Sequence, residues 1–162
     1  MEQLFFILLA LLTLSAALMV VTTRNLLHAA FWLILVFFGI AGFFILLHAE
    51  FLAVVQVLIY IGAISTLIIF AIMLTRRIMD PQQPRFNSQW GLVGGLAALL
   101  FVVLAAVTTR VAWPTTSATL PAEPIKQLGA DFVGVYAVPF EVASVLLVVA
   151  MIGAIIIARE RG

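Results

Sequence analysis

Glu50-Phe51-Leu52-Ala53-Val54-Val55-Gln56-Val57-Leu58-Ile59-Tyr60-Ile61-Gly62-Ala63-Ile64-Ser65-Thr66-Leu67 begins a run that carries no further charge until Arg76, so residues 51–75 are 25 consecutive uncharged positions. At a rise of 1.5 Å per residue, a helix of that length reaches about 37 Å, more than the roughly 30 Å of a hydrocarbon core. The apolar residues are continuous and do not alternate at every second position, which excludes a barrel strand. Inside a bilayer the backbone must satisfy its own polar groups, and for a continuous run only a helix does so. This stretch predicts a membrane-spanning helix.

The same count, carried outward, partitions the rest of the chain. Residues 3–23 lie uncharged between Glu2 and Arg24, 25–49 between Arg24 and Glu50, 86–109 between Arg85 and Arg110, and 142–158 between Glu141 and Arg159. The last run is short, and starting its helix at Pro139 gives proline the first helical position and Glu141 the first turn, where the helix dipole favours a carboxylate. The expectation is an all-α integral membrane protein: a single membrane domain over 1–162 with five helices near 3–23, 28–48, 51–75, 88–110 and 139–158, and an extramembrane loop at 111–138. Of the 162 residues, 65% are apolar and only 9% charged, too few charges to cover a soluble domain. Eight Lys and Arg against seven Asp and Glu leave a net charge of +1, which excludes the basic face of a nucleic-acid binder. The absence of cysteine excludes disulfides and thiolate metal or cluster sites within the chain. Met1-Glu2-Gln3 lacks the positive segment of a signal peptide, so the first helix is expected to persist in the mature protein.

Arg24, Arg76, Arg77, Arg85, Arg159 and Arg161 fall in alternate connections, and the bias of Lys and Arg toward the cytoplasm places the N-terminus outside and the C-terminus inside. Met79-Asp80-Pro81-Gln82-Gln83-Pro84 reads as a proline-broken cytoplasmic linker. Residues 111–138 hold Pro114, Pro121 and Pro124 and cannot be helical throughout.

No nucleophile–base pair, phosphate loop or metal-spaced cluster occurs, so the chain is not expected to be an enzyme by itself. His28 and His48 are the only imidazoles, 20 residues apart on one helix and thus about 30 Å, too far to hold one haem between them. In the third helix Gln56 and Tyr60 are four apart and share a face. Gly62, Ala63, Ser65 and Thr66 follow, and residue types of this kind serve equally as packing surface between membrane helices or as the polar lining of a functional path. A mid-helix glycine beside β-branched residues permits an i→i+5 widening, a π-bulge, at Gly62. Glu50 and Glu141 are the candidate protonatable groups, read either as interfacial carboxylates stabilised by helix dipoles or as participants in proton movement. Gly91 to Gly95 forms a GxxxG pattern that lets a helix approach a partner closely.

Ala49-Glu50-Phe51-Leu52-Ala53-Val54-Val55-Gln56-Val57-Leu58-Ile59-Tyr60-Ile61-Gly62-Ala63-Ile64, with Phe70-Ala71-Ile72-Met73-Leu74, resembles the third helix of the J subunit (chain 6) of proton-pumping NADH:quinone oxidoreductase, respiratory complex I. Pro139-Phe140-Glu141-Val142-Ala143-Ser144-Val145-Leu146-Leu147 resembles that family's last helix, and Arg24-Asn25-Leu26-Leu27-His28 its first connection. The resemblance implies a non-catalytic membrane-arm subunit without cofactor or metal, the flavin, iron-sulfur clusters and quinone being held by other subunits. It implies A, H, K and N type subunits and the lipid of the inner (cytoplasmic) membrane as partners. It also implies a π-bulge at Tyr60-Ile61-Gly62 whose rotation gates a proton path, with Tyr60 and Gly62 at the gate and Gln56 and Ser65 as neighbours. Leu67-Ile68-Ile69-Phe70-Ala71 is closer to the branch in photosynthetic lineages, in which ferredoxin can be the donor. The competing expectation is a small membrane subunit of a multisubunit cation/proton antiporter.

Overall fold

The computed structural model describes residues 1–75, 89–112 and 123–159. It is all-helical among them: α1 (Glu2–Thr22), α2 (Leu26–Leu46), α3 (Glu50–Leu74), α4 (Trp90–Arg110), α5 (Pro124–Val133) and α6 (Ala137–Ala158). Every one except α5 is long and apolar enough to cross a membrane, with bounds within two residues of those expected. The linker at Met79–Pro84 lies outside the described residues. The chain divides into two compact units, Met1–Thr109 and Arg110–Gly162.

Local chemistry sets the helix ends of the first unit. Thr23 adopts an extended backbone after α1, and the Asn25 side chain then accepts hydrogen bonds from the N–H groups of Leu27 (2.9 Å) and His28 (3.4 Å), an N-cap that satisfies two orphan donors of α2. At the far end of α2, His48 has φ 55°, the only positive φ among the described residues outside glycine. The His48 N–H donates to Ile45 O and the Ala49 N–H to Phe44 O, which is the Schellman closure with histidine where glycine is usual. Glu50 then opens α3 in its first turn. His28 and His48 thus stand at opposite ends of α2.

α1 and α2 pack antiparallel through small residues, with Ala16 and Gly39 buried. Gly39 faces Thr13, Gly42 faces Leu9, and Phe6 meets Phe43 edge-on with centroids 5.5 Å apart. Without a hydrophobic drive between helices in lipid, such close backbone approach supplies the dispersion contacts that hold the pair. α3 lies along α2. In α4 no residue is buried, and the space beside Gly91, Gly94 and Gly95 is open among the described residues. No large side chain among the described residues is fully enclosed; the spans turn their Leu, Ile, Val and Phe outward, as membrane helices do.

The second unit corrects the placing of Pro139 and Glu141 and adds a helix. α6 begins at Ala137, two residues before Pro139, so proline sits inside the first turn, where its missing N–H would have had no partner. Glu141 consequently falls just beyond the first turn, outside the region where the dipole acts most strongly. The loop at 111–138 also contains a helix, α5, with Pro124 at its start.

Candidate functional site

The third helix changes its winding in the middle. Glu50–Val55 is α-helical, Gln56–Ile64 is π-wound, and Ser65–Leu74 is α-helical again. Most π-helices are single-turn bulges, frequently at functional positions, whereas this one runs for nine residues. It contains Gln56, Tyr60 and Gly62 and ends against Ser65, which brings four of the residues singled out from the sequence onto one segment.

Hydroxyls hold the far end of the π-wound turn. The Ser65 N–H donates to the Tyr60 carbonyl, five residues back, and the Ser65 Oγ donates to the same oxygen at 2.8 Å, so one residue supplies both donors. In an α-helix a serine hydroxyl reaches back three or four residues; a reach of five belongs to the wider turn. Thr66 Oγ1 donates to Gly62 O at 2.5 Å. A Cβ built on Gly62 would lie 3.5 Å from Val57 O, an ordinary contact. The π-winding therefore does not need glycine for space; what glycine adds is low helix propensity, a backbone that gives up regular winding at little cost.

Ser65→Ala removes one of the two donors on Tyr60 O. A hydrogen bond is worth about 0.5–1.5 kcal/mol net, so the fraction of α-wound third helix should rise by roughly two- to tenfold. Particle classes from electron microscopy of the assembled variant measure this directly; an unchanged population would show that the hydroxyl does not hold the turn.

Two polar residues are buried on this helix: Gln56 is 5% exposed and Ser65 3%. The Gln56 amide enters no hydrogen bond among the described residues, yet no buried polar side-chain atom there is left sealed without a partner, so the amide still touches open space. Tyr60 is half-exposed and its ring meets Phe37 of α2 edge-on, with centroids 5.4 Å apart and an interplanar angle of 70°. Phe37 is the neighbour that the sequence leaves unassigned, and Thr66, named there only among the small and hydroxyl-bearing residues, joins the site through Gly62 O. Nothing in the sequence pairs Phe37 with Tyr60, while a hydroxyl four residues after Gly62 was a readable signal. Glu50 is exposed at the start of α3, six residues before Gln56 and about 9 Å from it along the axis. Glu141 is exposed and belongs to the second unit. No group of three or more His, Cys, Asp or Glu fit to hold a metal occurs among the described residues.

Fold and site define a multi-pass, all-helical membrane protein whose distinguishing element is a π-wound stretch within a spanning helix. Residues 16–157 match the model of the NADH-ubiquinone/plastoquinone oxidoreductase chain 6 family. The chain belongs to that family. It is 39% identical to the F(420)H(2) dehydrogenase subunit J of Methanosarcina mazei, over 100% of this chain and 93% of the relative. It is also 39% identical to the NAD(P)H-quinone oxidoreductase chain 6 of Synechocystis sp., over 98% of this chain and 81% of the relative. With the chloroplastic NAD(P)H-quinone oxidoreductase subunit 6 of Mesostigma viride it shares 37% identity over 98% and 85%.

Proposed function

We propose that this chain is a membrane-arm subunit of a proton-translocating quinone oxidoreductase, and that the winding of α3 gates the proton path coupling quinone reduction to pumping. The observation that carries the reading is the nine-residue π-wound segment at Gln56–Ile64. A π-wound turn takes in about one more residue than an α-turn, so conversion to α would swing the residues after it by a large fraction of a turn. Such an element has two discrete arrangements, which is what a gate requires. In the present winding Gln56 and Ser65 are turned into the helix packing; after conversion the stretch beyond the π segment would present a different face to α2. Tyr60 and Gly62 act at the moving centre, and Gln56 and Ser65 line or latch it. Glu50 and Glu141 are the carboxylates available to deliver or accept protons at the ends of their spans.

On this reading the chain carries no flavin, cluster or metal. Quinone and redox centres belong to other subunits, with the A, H, K and N types as its neighbours in the arm. The relatives' names include NAD(P)H-quinone oxidoreductase and F(420)H(2) dehydrogenase, so family membership leaves the electron donor to be set by subunits outside the membrane. The complex resides in the inner (cytoplasmic) membrane, with the N-terminus of this chain outside and its C-terminus in the cytoplasm. No observation favours the antiporter reading.

Gly62→Val tests the gate. One carbon fits at Gly62, but the γ-methyls of a β-branched side chain crowd the preceding turn and restrict rewinding. The expected result is normal assembly, quinone reduction within about twofold of the native rate, and protons moved per electron lowered by roughly half or more, a loss of coupling alone. Proton translocation in vesicles by the assembled variant at the native ratio would count against the gate.

A further inference from the structure

We propose that α5 is an interfacial foot: it lies in the headgroup layer of the bilayer, with Ile125, Leu128 and Phe132 against acyl chains and the opposite face in water. Its sequence, Pro124-Ile125-Lys126-Gln127-Leu128-Gly129-Ala130-Asp131-Phe132-Val133, is the most strongly amphipathic of the described helices. At 100° per residue, Ile125, Leu128 and Phe132 fall within an arc of about 60°. Lys126 and Gln127 fall on the other side, and Glu123 pairs there with Lys126 at 2.9 Å, both side chains well exposed. Ile125 and Phe132 remain exposed within this chain, so the apolar strip has an occupant outside it.

Continuity with the membrane span identifies that occupant as lipid. The Gly134 N–H donates to Ala130 O and the Tyr136 N–H to Asp131 O, closing α5, and α6 starts immediately after. Phe132 and Phe140 are eight residues apart, about 12 Å along a continuous helix, but their rings stack with centroids 5.8 Å apart and planes at 29°. The chain therefore folds sharply between them and brings the end of the strip beside the first turns of α6. Glu141 is the first charge met on that helix from the extramembrane side, and 17 uncharged residues follow it, so the hydrocarbon boundary falls near Glu141. Phe140 is its immediate neighbour, and the stack sets Phe132 at the same depth. Half-exposed Tyr136 stands in the turn, at the level where amphipathic aromatic rings accumulate. A helix tethered there, with a narrow apolar strip and a charged back, settles into the interface plane. Gly134 keeps the bend tight: a Cβ there would lie 3.1 Å from Ala130 O.

The test needs no variant. The purified complex is reconstituted in vesicles of phosphatidylethanolamine and phosphatidylglycerol doped with a phospholipid that carries a diazirine in its upper acyl chain. A parallel sample receives a water-soluble diazirine, and carbene adducts are mapped by peptide mass. The lipid-borne reagent should mark Ile125, Leu128 and Phe132 at several times the yield on Lys126 and Gln127, and the water-borne reagent should show the reverse. Protection of the three apolar residues from both reagents would mean that another subunit covers the strip and would overturn the proposal. Equal marking of both faces from water would overturn it as well. The outcome is independent of the gate in α3, since it depends only on α6 being a span.

Discussion

Gly39→Ala is expected to weaken the α1–α2 pair more than an added Cβ at any other described glycine. A Cβ at Gly39 would overlap Thr13 Oγ1 and stand 3.0 Å from Thr13 Cβ and 3.2 Å from Cγ2. Thr13 cannot simply turn aside, because its hydroxyl is engaged with Leu9 O at 2.7 Å and its β-branched side chain has few helical rotamers. The helices must separate, and overpacking of this kind costs about 1–3 kcal/mol. The better helix propensity of alanine, about 1 kcal/mol, offsets only part. Subunit retention after graded heating of the detergent-solubilised complex should fall several-fold. Thr13→Ala removes Oγ1 and Cγ2, so Gly39→Ala combined with Thr13→Ala should recover much of the loss, with a coupling of about 0.5–3 kcal/mol between contacting positions. Native retention in Gly39→Ala alone would refute the close approach.

The spans were legible because charge is the costliest thing to place in hydrocarbon, and the gaps between charges delimit them to within five residues. Turn chemistry was less so. Asn25 is a standard N-cap, but His48 occupies a left-handed position that sequence statistics give to glycine. α5 was hidden by its surroundings, since prolines at 114, 121 and 124 marked a loop, although the spacing of Ile125, Leu128 and Phe132 was available to be read. The widening in α3 was placed correctly at Gly62, but its extent and its support are properties of the folded helix. Ser65 and Thr66 turn their hydroxyls onto backbone carbonyls, which residue type alone does not distinguish from ordinary packing. The Phe37–Tyr60 contact is tertiary and leaves no trace in either helix's own pattern.

Gln56 is where packing and proton-path readings diverge most sharply. Gln56 is 5% exposed, and its amide, though still in touch with open space, has no hydrogen-bond partner among the described residues, an arrangement that gains nothing for packing. Were it only packing, leucine of similar size would serve as well or better, because replacing a buried polar group by an apolar one of like shape is close to neutral. Gln56→Leu should therefore assemble fully and resist heat at least as well as the native complex. In the gate reading, however, the amide is the polar group within α3 that can hold water one turn from Tyr60. Its loss should dry the path and lower proton translocation by about tenfold, equivalent to about 1.4 kcal/mol on the controlling step. Quinone reduction measured with an uncoupler present, where proton movement no longer limits turnover, should stay near the native rate. Gln56→Asn keeps the amide on a shorter stem and should retain part of the pumping. If Gln56→Leu pumps at the native ratio, water at Gln56 is not part of the path and the residue is packing.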